Sequence, residues 1–440
     1  MFKPAQDDGD GLAHGLETPP LAREIFPGDA AEAAATVGRN PQAQAEAVQH
    51  GWRVLAILSA LMGFASISTD LYLPAMPAMG RSLAASAGMI ELTVSGYLIG
   101  FALGQLLWGP ISDRYGRRLP LSIGLVLFVI GSAGCALSYD AWTMISWRMV
   151  QAVGASAGVV LSRAMVRDLY EGPRAAQMMS TLMTVMAIAP LVGPLVGGQI
   201  LALAGWHAIF WILVGVGLAT LLALLTLPET LPPKQRNPEP VGRALLRYGE
   251  LLGRRRLMGY AGAGGFFYGG MFAYIAGTPF AYITYHHVPP ELYGLLFAVG
   301  IIGIMLTNIV NARLVTRFGS DRLLAFGSAA AAFAGLVLAG AAWTGWGGLW
   351  GLVVPLFIFV AATGFIVANS IAGALAGFPE RAGAVSALVG ALQYGSGILG
   401  SALVGAFADG TPWPMGWVIA VAGIGSLACT RLLVHSPAAR

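Results

Sequence analysis

Charge is confined to islands along this chain. Residues 119–139, 175–228, 257–290, 323–379, 382–408 and 410–430 contain no Asp, Glu, Lys or Arg. Each stretch holds one or two runs of about 20 residues, the length that crosses the hydrocarbon core of a bilayer as a helix. A soluble domain carries about 25% charged residues. Here 10% are charged and 56% hydrophobic over 440 residues. That excludes an ordinary cytosolic enzyme and a disordered protein, and leaves a polytopic membrane protein. The two cysteines, Cys135 and Cys429, both sit inside apolar runs. They provide neither a disulfide framework nor a cysteine metal cluster.

Twelve candidate helices follow from Trp52 onward, over 53–74, 90–111, 119–138, 141–163, 177–201, 206–228, 257–284, 291–312, 322–342, 347–373, 382–407 and 414–434. A β-barrel is excluded, because the runs are about twice a barrel strand's length and lack period-two alternation. The predicted fold class is therefore all-α and integral to the membrane.

The loop charges set orientation. Loops after even-numbered helices carry Arg114, Arg117 and Arg118, then Arg167 and Arg174, then Lys234 to Arg256, then Arg313 and Arg317, then Arg381. Loops after odd-numbered helices carry only Arg81. The positive-inside rule predicts that the even loops and both termini are cytoplasmic. This also accounts for the net charge of +4 without a nucleic-acid partner.

Residues 1–51 differ in kind. They carry eight acids and three bases among Ala, Pro and Gly, which predicts a disordered acidic tail. No basic start precedes an apolar run there, so a cleaved signal is not expected. The domains expected after it are a six-helix bundle over 52–228, a linker over 229–256, a second bundle over 257–434 and a short tail over 435–440. An internal echo supports the duplication. Arg114-Tyr115-Gly116 follows the second helix, and Arg317-Phe318-Gly319 follows the eighth.

The turn Gly109-Pro-Ile-Ser-Asp113-Arg114-Tyr-Gly116-Arg117-Arg118 resembles the loop signature of the major facilitator superfamily. Its glycine relieves the backbone, and its acid can cap a helix or pair with an arginine such as Arg167. The fifth helix carries Ala189-Pro190-Leu-Val-Gly193-Pro194-Leu-Val-Gly197-Gly198, similar to the antiporter motif associated with exporters in that superfamily. Prolines there bend the helix and glycines permit close approach. Gly109, Asp113, Arg114, Gly116, Arg117, Arg167, Pro190, Gly193 and Pro194 are thus the candidate gating residues. Further segments resemble the Bcr/CflA family of proton-coupled drug exporters. They are Ser68-Thr69-Asp70-Leu71-Tyr72-Leu73-Pro74, Arg148 to Gly154, Arg163 to Leu169, Pro228-Glu229-Thr230-Leu231, Gly277-Thr278-Pro279-Phe280 and Ala384 to Gly390. Departures are His207 after Trp206, where such proteins often have an arginine, and Thr316, which stands in place of an acid.

The resemblance implies two pseudo-symmetric six-helix halves around a central cavity. It implies an inner-membrane antiporter that exports small drug-like compounds against protons, working as a monomer without a cofactor. Two alternatives remain: a proton-linked carrier of a metabolite, and a non-transporting membrane receptor or scaffold. No catalytic constellation and no phosphate-binding glycine loop is visible, so an enzyme is not expected.

Among the 46 charged residues, Asp70 and Arg148 stand out as lying within spans. A charge at bilayer depth costs about 2.5 kcal/mol or more, so it needs a partner or a task. Both are expected within roughly 6–10 Å of the same interface, where they can form a proton switch or a static ion pair. Glu91 is read either as an exposed acid at a helix start or as a peripheral proton site. Tyr72, Gln151, Tyr268, Tyr274 and Asn369 are the candidate substrate contacts, with helix–helix bonding the equal reading for Asn369. Gly96, Gly100 and Gly104 read as a packing stripe. His286-His287 lacks neighbouring acids or cysteines and makes a poor metal site.

Overall fold

The structure, a computed structural model, describes residues 51–170, 172–236, 251–378 and 382–434. The acidic tail up to residue 50, half of the expected linker (237–250), the loop arginine Arg381 and the last six residues lie outside them. The helices are α1 Gly51–Asp70, α2 Ala87–Tyr115, α3 Arg118–Ala136, α4 Ala141–Leu169, α5 172–204 and α6 206–224. They continue as α7 Arg255–Pro279, α8 Pro290–Phe318 and α9 Ser320–Thr344. Next is α10, in two segments Gly348–Ala361 and Thr363–Ala376, then α11 Ala382–Ala406 and α12 Trp413–Cys429. No strand occurs among the described residues.

Ten segments among the described residues are long and apolar enough to cross a bilayer. One of them, Gln177–Leu224, holds two helices, because Gly205 interrupts it at φ 76° and ψ 175°. As one straight helix it would run about 72 Å, more than twice the hydrocarbon thickness. α7 falls outside the ten because glycine and tyrosine dilute its hydropathy; it runs on as a π-helical turn, Phe280–Tyr285. Together these make twelve.

Local chemistry explains several boundaries. α1 ends at Asp70, earlier than expected, and the chain continues through a 3-10 turn, Leu73–Ala75, and a short helix, Met76–Ser82. Pro74 and Pro77 lack the N–H groups that would bond the carbonyls of residues 70 and 73. α4 begins on Asp140, whose Oδ1 accepts from the N–H groups of Trp142 and Thr143 at 2.8 and 3.0 Å. It runs six residues past the expected end. Gly116 and Gly319, the two ends of the sequence echo, share one backbone conformation, φ 92° and 79° with ψ 173° and 155°.

The neighbour pattern repeats when six is added to each helix number. α1 packs on α5 as α7 packs on α11, α2 on α4 as α8 on α10, and α3 on α4 as α9 on α10. Two seams join the halves, α2 with α11 and α5 with α8, and the same operation exchanges them. Small residues make these packings close. A Cβ on Gly100 would lie 2.2 Å from the Met149 carbonyl, and one on Gly104 would lie 2.0 Å from Ser156 Oγ. Lipid provides no hydrophobic drive between helices, so such backbone proximity is what holds them.

Candidate functional site

The described loops after the even-numbered helices, which carry every loop arginine among the described residues but Arg81, lie at one end of the bundle, and both seams are closed at the far end. There a Cβ on Gly88 would fall 2.1 Å from the Gly405 carbonyl, and one on Gly294 would fall 2.6 Å from the Leu195 nitrogen. Ser95 and Ser401 hydroxyls hydrogen-bond across the α2–α11 seam at 2.8 Å, and the Phe101 and Tyr394 rings meet at 5.4 Å. Between Tyr394 and the arginine-rich face, no hydrogen bond links the halves among the described residues. A cavity of about 230 Å³ lies at mid-depth, walled by Asp70, Tyr97, Phe101, Pro190, Tyr268, Tyr274 and Tyr394. It opens towards the arginine-rich face.

Arg148 is fully buried behind this wall. Its guanidinium lies between the rings of Tyr72 and Tyr97, 4.2 and 4.3 Å from their centroids. Nη1 donates to the Ser68 carbonyl at 2.9 Å and to Gln151 Oε1 at 2.6 Å. Gln151 in turn donates to Ser132 Oγ at 2.8 Å. Nε and Nη2 have no hydrogen-bond partner. The cation is therefore satisfied by two ring faces, a carbonyl and an amide.

Asp70 is buried at the end of α1 and takes a bond from Thr69 Oγ1 at 3.3 Å. It feels Arg148 electrostatically, yet no ion pair joins them. Of the two readings of this pair, the static ion pair is not formed: Arg148 is anchored two residues earlier, on the Ser68 carbonyl. Gly193 of α5 packs against Asp70, where a Cβ would sit 2.8 Å from the Asp70 Cβ. Gly197 packs on the Leu71 carbonyl with still less room. The acid thus sits at the joint between α1 and the proline-bent α5.

Other candidates are distributed differently. Tyr268 and Tyr274 line the cavity, whereas Tyr72 and Gln151 are withdrawn into the Arg148 cage. Asn369 donates to Asn311 Oδ1 at 2.6 Å and the Phe365 carbonyl at 2.8 Å. It bonds α10 to α8 and does not reach the cavity wall. Glu91 is 4% exposed, not an open helix start, and its Oε2 has no partner. It borders a small cavity at the far-face seam with Val404 and Thr411.

At the arginine-rich face, Asp113 pairs with Arg117 at 2.6 Å rather than with Arg167, because the Gly116 turn between α2 and α3 brings the two side by side. Arg117 Nε also donates to Asp168 at 2.9 Å. Burial opposes the charge of Arg117, but the bonds to Asp168 and Asp113 outweigh it and hold its pKa above the ordinary value. Glu229 caps the start of α3, accepting from the backbone of Arg117 at 2.8 Å and Arg118 at 3.1 Å. Arg114 lies over the Tyr115 ring, Arg167 is exposed, and nothing lies within 4 Å of a Cβ at Gly109. Pro190 lines the cavity and Pro194 is buried in α5.

Sequence reasoning passed over Tyr97, Phe101 and Tyr394 on the cavity wall, and Arg163 beside it. The tyrosines carry a signal, a polar tip in mid-span. Arg163 was hidden by the early end expected for α4.

Twelve helices in two exchanged halves, with a mid-depth cavity closed at one face, define a membrane carrier that works by alternating which face is open. The chain belongs to the Major Facilitator Superfamily, whose pattern it matches over residues 55–401. It is a transporter and not an enzyme. It is 39% identical over 376 residues to an uncharacterized MFS-type transporter, YdgK, of Bacillus subtilis, covering 84% of this chain and 93% of that one. It is 30% identical over 362 residues to a bicyclomycin resistance protein homolog of Haemophilus influenzae, covering 82% and 90%. In fold it resembles an inward-facing, unoccupied bacterial homolog of the human lysosomal transporter Spinster. The TM-score is 0.69 at 15% identity, over 87% of this chain and 98% of that one.

Proposed function

We propose that the protein exports small drug-like compounds across a bacterial inner membrane in exchange for protons, and that it belongs to the Bcr/CflA branch of the superfamily. The observation that carries the reading is Asp70, a carboxylate on the cavity wall, packed against the antiporter-like motif of α5. The similarity to a bicyclomycin resistance homolog supports the direction and the substrate class.

The arginine-rich face is taken as cytoplasmic from the one-sided loop charge. The cavity then faces the cytoplasm, ready to load. Ionised Asp70 attracts a polar or cationic group of the cargo. When the far face opens, a proton from outside neutralises Asp70 and the attraction falls. A change of one charge in a low-dielectric site biases two states separated by a few kcal/mol. Gly193 passes the change at Asp70 to α5, which borders the α5–α8 seam. The Arg148 cage keeps α1 and α4 together throughout.

The test is transport in proteoliposomes with an imposed proton gradient, using bicyclomycin as cargo. Wild type is expected to build a drug gradient. Asp70→Asn is expected to insert and exchange drug downhill but to build none. A variant that still concentrates drug would move the coupling site elsewhere, with Glu91 next.

A further inference from the structure

The described acids at the arginine-rich end of the N-terminal half are all engaged. Asp113 and Asp168 hold Arg117, and Glu229 caps α3. Arg163 and Arg167, one turn apart on α4, take no part. No hydrogen bond or ion pair reaches Arg163 among the described residues, and its Nε is buried without a partner. Its electrostatic neighbours are Tyr394 and Tyr268, which belong to the other half, and Arg167, a like charge. Both tyrosines line the central cavity. Arg163 lies fifteen residues beyond Arg148, about 22 Å along α4 towards the open face. It therefore lies outside the cavity lining, on the arginine-rich side, next to the two tyrosines that wall the cavity.

A guanidinium drawn out of water without a counterion is unfavourable. The helices that carry the two tyrosines offer none, since 257–290 and 382–408 contain no acid, and among the described residues Asp321 at that end of the facing half is paired with Arg256. The phenol groups offer only neutral dipoles. When the mouth closes around a loaded cavity, Arg163 is enclosed further, and a carboxylate on the cargo supplies the negative charge that no described residue brings to it. A cleft with uncompensated positive charge also concentrates anions from solution. Planar guanidinium matches a carboxylate with two parallel hydrogen bonds, and the aromatic wall behind it accepts a flat apolar body.

We propose that Arg163 is a specificity-determining residue that receives the carboxylate of an organic anion whose aromatic body enters the cavity. This rests on the cavity being the transport site, but not on proton coupling or on any particular drug.

The test uses purified full-length protein and matched pairs of probes: 2-naphthoate, biphenyl-4-carboxylate and indole-3-acetate, each against its methyl ester. Wild type is expected to bind each acid about tenfold or more tighter than its ester, as read by titration calorimetry. The preference should weaken as salt rises, because the mouth is solvated. In Arg163→Gln the preference should vanish while ester affinity stays within about twofold, and Arg163→Lys should retain part of it. Retained ester binding shows that the variant is folded. No acid preference in wild type, whether both forms bind equally or neither binds, overturns the inference. So does a preference that survives Arg163→Gln. The two readings fail separately: if Asp70→Asn still couples transport to protons the proposed function falls, while the acid preference of wild type stands as measured.

Discussion

Arg148 is a buried cation held without an acid, and its surroundings are specific to a guanidinium. Two ring faces need a flat ion, and the Ser68 carbonyl and Gln151 need donors spread in a plane. Lysine presents a compact, strongly hydrated charge that satisfies neither demand. Arg148→Lys is therefore expected to lose about 2 kcal/mol or more of stability, the scale of a desolvated cation–π contact, and most transport. A thermal midpoint and a transport rate equal to wild type would contradict this. Asp70 and Arg148 were legible in the sequence because ionisable residues are rare in spans. Their relation was not. Whether two charges at similar depth touch depends on rotation about the helix axes, and here Tyr72 and Tyr97 occupy the space around the arginine. The same ambiguity hid Tyr394, and it placed Tyr72 and Gln151 in a cavity they do not line, while of the two readings of Asn369 the helix–helix bond is the one formed.

At the scale of elements, the loop echo gives a paired experiment. Gly116 and Gly319 share a backbone conformation that side chains rarely adopt, so alanine at either is strained by about 1–3 kcal/mol. Only at Gly116 does the added Cβ also meet something, Glu229 Oε2 at 2.6 Å; around Gly319 the space is open. Gly116→Ala should therefore cost more than Gly319→Ala in thermal unfolding, and should loosen the Glu229 cap on α3. Equal costs would mean that the cap contributes nothing. Asp140 provides a pH test. Its bonds to the Thr143 hydroxyl and to two backbone N–H groups hold its carboxyl below the usual carboxylate range. A group with a lowered folded pKa stabilises above its unfolded value and ceases to do so as pH falls through the folded one. The advantage of wild type over Asp140→Ala should be full at neutral pH and shrink below about pH 4. A gap that does not change with pH would assign the effect to something other than the ionised cap. Helix number and most of the loops were readable from charge islands alone. The ends of α1 and α4 were not: apolar residues 71–74 extend the α1 pattern although the chain there turns into the 3-10 segment Leu73–Ala75, and the arginine-bearing last turns of α4 look like loop in a hydropathy reading.

For the whole molecule, the two seams are the moving parts. The pseudo-symmetry makes them equivalent, and glycine makes each closable at the far face. Gly88 on the α2–α11 seam and Gly294 on the α5–α8 seam each face backbone closer than a side chain tolerates. Overpacking at such a contact costs about 1–3 kcal/mol, and every 1.4 kcal/mol is a tenfold change in population. The cost falls only on the state in which the far face is closed, so Gly88→Leu or Gly294→Leu should shift the protein about ten- to hundredfold towards the opposite state. Glu91→Gln should act in the reverse sense. A neutral amide is less costly to bury than an unpartnered carboxylate, so the closed seam gains. The measurement is labelling of a cysteine at Ser95, which lies inside the closed seam opposite Ser401, by a membrane-impermeant thiol reagent added from outside. Labelling should rise in both glycine variants and fall in Glu91→Gln. Gly109→Leu, whose position faces open space, should leave it unchanged. Rocking about one axis requires both glycine variants to act alike. If only one opens the far face, the seams move independently, and a symmetric exchange of the two halves is the wrong description of the motion.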